Sequence, residues 1–538
     1  MFNYFLYQFR LTLFIHVLNR MQRDTSEMPQ DASEMQQDTD DEMPQDASEM
    51  QQDTGEMPQD NLKFIKELNE ILMKRNIRKL IKKLNKKSKE LLYIFFQDVS
   101  DADNLLSIVA HIRKHGIPTL LKPLIIVLAR RTANFADPHW TQCKDGAFPG
   151  VHTKSWETIN PEDTALLAEN DARHIIEFLH YTQGVGATLA EAAKIIQIYD
   201  SGNPSTISPM SNLIHASQFL FSEKGRIRSI TEYKTLLKDL QGDVQMTEGP
   251  DGKLFYNPEK DIDGRNARQK RIRKFITEQN EGFKKDAGDI SSCIRPLKEL
   301  GEMLAKDTRY IVAYLLAPAT GFANLFLDKN GGASLRDRLI AVFGQLLAFD
   351  NCAPEFYRIN QTSLNIFRNQ FNVGCDISAL LQLFKEFLRC CQLKLILTLP
   401  TEIVKNLSEL HTQLYTTLKA TNVDTLSPLE QLYVQWCGIK GGRPEIIFDP
   451  AVVFIAFGLT DVETIPVEIM VYNGNRFNCN TDVVRMCEKG QLEEGEPERE
   501  NPIGRDLPFY AVSAFTDSST YWKTLVSELE LRHTMSHL

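Results

Sequence analysis

Residues 160–184 read NPEDTALLAENDARHIIEFLHYTQG, and this stretch sets the expectation for the whole chain. Asn160 is a cap residue, Pro161 occupies the first helical position, and Glu162 and Asp163 put acids in the first turn. Proline's missing N–H costs nothing there, because that donor has no partner inside a helix anyway. Apolar residues then recur through Ala165, Leu166, Ile175, Ile176 and Phe178 as far as Gly184, which predicts one long helix.

Outward from this helix, the same periodicity predicts helices near 187–200, 209–223, 229–241, 264–284, 292–316, 334–349, 354–371, 376–397, 401–421 and 427–437. Two hairpins interrupt them. Val244–Thr247 and Lys253–Tyr256 flank Glu-Gly-Pro-Asp-Gly, and Val467–Tyr472 and Arg476–Cys479 flank an Asn473-Gly474 turn. No regular alternation of strand with helix is read, which argues against a Rossmann or barrel fold. The expected fold class is therefore mostly α: a multi-helical body with two small β-hairpins and a disordered N-terminal segment.

The N-terminal third of this reading rests on charge. Residues 24–60 hold 13 Asp/Glu and no Lys or Arg. They repeat E-M-[P/Q]-Q-D-[A/T]-x from Glu27, Glu34, Glu42, Glu49 and Glu56. The period of seven resembles a coiled-coil heptad, but Met is the sole apolar residue per unit and Pro29, Pro44 and Pro58 recur. A coiled coil needs two apolar positions per heptad, and proline removes a helix hydrogen bond, so disorder is expected here. Residues 61–90 reverse the sign, with 11 Lys/Arg against 3 Glu. Phe64, Ile65, Leu68, Ile71, Leu72, Leu80, Ile81 and Leu84 fall at helical spacing among them, which makes a basic amphipathic helix.

The organisation expected is an apolar leader or a start placed too early at 1–23, acidic repeats at 24–60, and the basic helix at 61–97. Helical domains at 98–245 and 262–460 follow. A small α/β region at 461–538 closes the chain, with an acidic linker and a terminal helix. Residues 1–23 lack a basic n-region and a small-residue cleavage site, unlike a signal peptide.

Length and composition set bounds. A chain of 538 residues with 42% hydrophobic and 25% charged residues can bury a sizeable core. The net charge of −10 does not favour nucleic-acid binding. Nine scattered Cys do not form a disulfide framework and suit a reducing cytosol. There is no run of 18 apolar residues of the kind that spans a bilayer.

Candidate chemistry is sparse. Cys437 and Arg443 match C-x5-R across Gly438, Lys440, Gly441 and Gly442, which resembles the phosphate loop of cysteine-dependent phosphatases. There a thiolate attacks phosphorus while Arg and backbone N–H groups hold the oxygens. Pro444 stands where a hydroxyl residue is usual, and the residues before Cys437 read as helix rather than strand. In the loop 136–160, Cys143 and His152 are a candidate thiol–base pair, and His139 would join them in a three-ligand metal site. That spacing matches no zinc pattern, so no metal and no cofactor is assigned. Binding residues are placed on Lys79, Lys82, Lys83 and Lys86 of the basic helix and on Arg268 and Arg271 of a second cluster at 265–274.

A charged low-complexity N-terminus, a helix-rich body without enzyme motifs, and the acidic block Glu493, Glu494, Glu496, Glu498 and Glu500 together resemble type IV secreted effectors of intracellular bacteria. That resemblance implies secretion into a host cell. The expected role is an interaction protein engaging an anionic membrane surface or an acidic protein partner through the basic helix, with a cysteine-dependent enzyme as the alternative. The oligomeric state is not fixed by these residues.

Overall fold

The computed structural model describes residues 59–73, 76–87, 91–98, 102–115, 124–129, 161–200, 246–248, 254–256, 262–288, 294–317, 319–326, 332–344, 379–384, 395–400, 407–439, 449–472, 483–488 and 509–528, with a few isolated positions besides. The chain divides into two compact units at the 58/59 junction, and all of these residues lie in the second.

Strands form at β1 (Leu91–Asp98), β2 (Leu124–Ala129), β3 (Ile196–Asp200), β4 (Met246–Glu248), β5 (Leu254–Tyr256), β6 (Ile294–Pro296), β7 (Tyr310–Leu316), β8 (Leu339–Gly344), β9 (Leu395–Thr398), β10 (Val462–Tyr472), β11 (Val483–Glu488) and β12 (Phe509–Phe515). Ten of them make one sheet in the order β11-β10-β12-β9-β8-β7-β1-β2-β3-β6. Neighbours run parallel except at β10, which is antiparallel to both β11 and β12. The remaining pair, β4 with β5, is a separate antiparallel hairpin.

This sheet overturns the expectation of a mostly α body. The fold is α/β, built on a mostly parallel sheet with helices between its strands. The reason for the misreading is physical. A parallel strand covered on both faces carries apolar residues at every position, so it lacks the alternation that marks a half-exposed strand. YIVAYLL in β7 and LIAVFG in β8 are buried at every residue. Short apolar runs of this kind cannot be told from buried helix by periodicity. The single helix expected over 292–316 is in fact β6, a helix at Leu297–Lys306, and β7. The one expected over 187–200 is a helix at Leu189–Ile195 followed by β3.

Of the two expected small hairpins one stands apart as a two-stranded pair, and the other strand region belongs to the large sheet. β4 and β5 pair with Met246 opposite Tyr256. In the second region β10 pairs with β11, Tyr472 opposite Val483, and the expected arm Arg476–Cys479 lies outside the described residues. Pro296 ends the edge strand β6, where its missing N–H blunts further pairing.

The two faces of the sheet are covered by different helices. Leu92, Ile94 and Phe96 of β1 lie in one core cluster with Leu300 and Leu304 of the 297–306 helix, Phe322 and Phe326 of the Thr320–Phe326 helix, and Leu383 and Phe384. On the opposite face Tyr93 and Phe95 meet His111 of the Ala102–His115 helix, with ring centroids 4.9 and 5.0 Å apart. The Asp449–Ala456 helix packs beside that one, and Phe457 at its end lies 5.6 Å from His111.

Two further helices, Gln59–Met73 and Ile77–Lys86, form a hairpin that precedes β1. Asn76 caps the second, accepting from the backbone N–H of Lys79 at 2.9 Å. Ile77, Leu80, Ile81 and Leu84 are all buried. At about 1.5–3 kcal/mol per buried large apolar side chain, this face is what holds the helix to the body. Asn85 Nδ2 donates to the Ala456 carbonyl at 3.2 Å, and Phe64 lies 6.1 Å from Tyr310. The left-handed Gly458 (φ +65°) passes under Ile81, where a Cβ would stand 3.4 Å from Cγ2.

Candidate functional site

The order of the strands locates a topological switch point. From β1 the chain builds outward through β2, β3 and β6, then returns to lay β7 against the other side of β1 and continues through β8, β9 and β12. β1 and β7 are in register from Leu91 opposite Tyr310 to Gln97 opposite Leu316. The helix that follows β1 covers one face, marked by the His111–Phe95 contact, whereas the helix that follows β7 covers the other, with Phe322 5.1 Å from Phe96. The two connections therefore part above the carboxyl ends of β1 and β7. In open α/β sheets ligands bind in the crevice that such a reversal creates.

Two polar residues end β1 at this point, Gln97 and Asp98, after six apolar or aromatic positions. Gln97 is 3% exposed, and its Oε1 has no hydrogen-bond partner among the described residues. A buried acceptor left in this state costs about 1–3 kcal/mol, so its retention calls for a cause. The sequence reading missed both residues. The signal was present, since an apolar run that stops at two polar residues is how a buried strand emerges at the sheet's carboxyl edge.

The lysines singled out from sequence lie together on the second helix of the hairpin. Lys79, Lys82 and Lys86 are exposed and Lys83 is half-buried. Lys83 pairs with Glu67 of the first helix, and this hydrogen bond, then the lysine charge, lowers the Glu67 carboxyl below the usual range. Arg78 pairs with Asp461 at 2.7 Å. In the second basic cluster Arg271 is exposed on the Ile262–Ala287 helix, on which Arg268 also lies. The structure does not bring the two clusters onto one element.

Cys437 lies in the last turn of the Pro428–Ile439 helix, with no strand leading into it. Arg443, Cys143 and His152 lie outside the described residues, as does His139. Among the described residues no group of three His, Cys, Asp or Glu could hold a metal ion, and no helix is long and apolar enough to cross a membrane.

Two buried polar groups also escaped the sequence reading. Arg173, 2% exposed, donates to Asn280 Oδ1 at 3.2 Å, Glu177 Oε2 at 3.1 Å and Asn170 Oδ1 at 3.0 Å, and lies 2.7 Å from His174 Nε2. It ties the Pro161–Gln183 helix to the 262–287 helix. Burial, then the Arg173 charge, holds His174 well below its ordinary pKa, while burial raises Glu177 despite the arginine beside it. The second group is His411, whose Nδ1 lies 2.9 Å from Tyr433 Oη and whose Nε2 lies 3.4 Å from Tyr521 Oη. Burial lowers its pKa to about 4.

No protein-family model matches the sequence, and no curated protein matches it. Among solved structures, the inosine-uridine preferring nucleoside hydrolase from Bacillus anthracis aligns at 9% identity and a TM-score of 0.37, covering 82% of this chain and 99% of that one. The effector protein XOO4466 aligns at 9% identity and 0.37, covering 82% and 93%. The type III effector XopQ, solved with adenosine diphosphate ribose, aligns at 10% identity and 0.30, covering 68% and 73%. The structural neighbours thus include two effector proteins, one of them of type III, where the sequence style resembled the type IV kind. At scores of this size neither activity nor ligand passes from them to this chain.

Proposed function

We propose that this protein binds a small hydroxyl-bearing molecule in the cleft above the carboxyl ends of β1 and β7. The observation that carries the reading is the buried Gln97 Oε1, without a hydrogen-bond partner among the described residues, at the point where the strand order reverses. A buried amide oxygen in this state suits an O–H or N–H donor. The test is a thermal-shift screen of the full chain against sugars, nucleosides and nucleotides, since a ligand that binds only the folded state raises its stability. A hydroxyl-bearing hit whose effect is lost in Gln97→Leu supports the reading. A hit that Gln97→Leu leaves unchanged contradicts it.

A second reading concerns the basic helix, and a specific observation favours it. Lys79, Lys82 and Lys86 are exposed while the apolar side of the same helix is buried in the body. In this reading the helix engages an acidic protein partner or an anionic membrane surface by charge alone, consistent with an effector-like interaction protein. Charge reversal at these three positions removes binding to such a partner, and unchanged binding contradicts the reading.

A further inference from the structure

We infer that the outer side of the 59–86 hairpin is a docking stripe for a flat anionic lipid surface, which adsorbs there without insertion. This rests on the reading of the basic helix as a charge-docking element and commits it to one partner.

An α-helix turns about 100° per residue. On that wheel Lys79, Lys82 and Lys86 fall within about 60° of one another and diametrically opposite the centre of the buried set Ile77, Leu80, Ile81 and Leu84. The lysines therefore point straight away from the body. From Lys79 to Lys86 the stripe is about 10 Å long at 1.5 Å per residue. Beside it Glu67 pairs with Lys83 and Asp461 with Arg78, while Glu70 is exposed on the first helix.

This geometry separates the possible partners. An amphipathic helix that enters a bilayer does so through its apolar side. Here that side is occupied by the body, so insertion would require the helix to undock. A peptide recognised in a groove needs a concave apolar surface, and the stripe is the crest of a helix. Coplanar lysines on a crest match a plane of negative headgroups. The net charge of −10 over the chain means that most other orientations are repelled by the same surface.

The experiment is cosedimentation of the full chain with vesicles of phosphatidylcholine alone or with phosphatidylserine, alongside capture on immobilised poly-glutamate. Expected is binding to the phosphatidylserine vesicles only, falling as salt rises and causing no leakage of trapped dye. Each lysine near such a surface contributes on the order of 1 kcal/mol, so K79Q/K82Q/K86Q lowers partitioning by about a hundredfold. K79R/K82R/K86R keeps the binding and guards against a folding artefact. Phosphatidylserine binding that survives K79Q/K82Q/K86Q overturns the stripe, and dye leakage overturns adsorption without insertion. Stripe-dependent capture on poly-glutamate with no vesicle binding overturns the lipid commitment and leaves charge docking standing. Binding to neither surface overturns both.

Discussion

Phe95 of β1 and Tyr314 of β7 are register partners with ring centroids 4.7 Å apart, although they come from distant parts of the chain. This contact joins the two strands between which the chain changes direction. Tyr93 stacks at 6.0 Å on the same tyrosine, and His111 packs edge-on against both Tyr93 and Phe95. The aromatic cluster is thus the floor on which the proposed cleft stands. Burial, with Tyr93 nearby, holds the Tyr314 hydroxyl well above its ordinary pKa, so that hydroxyl stays neutral.

Phe95 is fully buried, so Phe95→Ala opens a cavity beneath the cleft. Truncations of this kind cost about 3–5 kcal/mol. Urea denaturation followed by circular dichroism is expected to show a loss of this size. A loss below about 1 kcal/mol would mean that the cluster is not a core element.

Arg173 presents a sharper contrast. Removing it as Arg173→Ala leaves the mostly buried Glu177 without this cation, and Asn170 and Asn280 without these hydrogen bonds, and such a break costs about 3–5 kcal/mol. Removing both charges, as Arg173→Met with Glu177→Gln, is expected to cost less than the single change, because no buried charge is left uncompensated. A double variant as unstable as Arg173→Ala would show that the guanidinium works through packing rather than charge balance.

His411 gives the fold a pH dependence with a defined sign. Its folded pKa of about 4 lies below the unfolded value of 6.5, so between these limits the unfolded chain binds the extra proton. Its contribution to stability is therefore complete above pH 6.5 and is lost as the pH falls towards 4. At 1.36 kcal/mol per unit, about 2 kcal/mol of it is lost between pH 7 and pH 5. His174, also lowered, adds to the loss in the same direction. Glu177, raised by burial, has the opposite slope: its share is present below the ordinary carboxylate range and lost as the pH rises through its raised value. Denaturation midpoints at pH 5 and 7, compared between the native chain and His411→Gln, measure the difference. Equal pH slopes in the two would contradict a buried neutral imidazole.

Gly458 links the docked helix to the body. Its φ of +65° is strained for a side chain, and a Cβ there would meet Ile81. Gly458→Ala is expected to cost about 1 kcal/mol and to speed proteolysis in the 59–86 hairpin. Protection unchanged from the native chain would show that the hairpin is held elsewhere.

What could be read from the residues depended on whether local chemistry or long-range pairing made the element. The helix at 161–183 was legible because Pro161 and the acids after it act within one turn. The capping box of Thr188 and Glu191 and the Ser427–Glu430 pair are equally local. The strands were not legible, because LIIVLA or LILT becomes a strand only through neighbours from elsewhere in the chain. The amphipathic pattern of the 77–86 helix was legible from spacing, though the place its apolar side packs on, near Ala456 and Gly458, was not. Gln97 stands out in the sequence as the polar end of an apolar run, but its meaning comes from the strand order, which only the structure supplies.

The proposal of a ligand cleft is tested most directly by calorimetric titration of the strongest hydroxyl-bearing ligand from the thermal-shift screen into the native chain and into Gln97→Leu. The account predicts one site per chain in the native protein and at least a tenfold weaker affinity in the variant, about 1.4 kcal/mol for one lost hydrogen bond. Equal affinities in the two proteins, with Gln97→Leu folded, would contradict it.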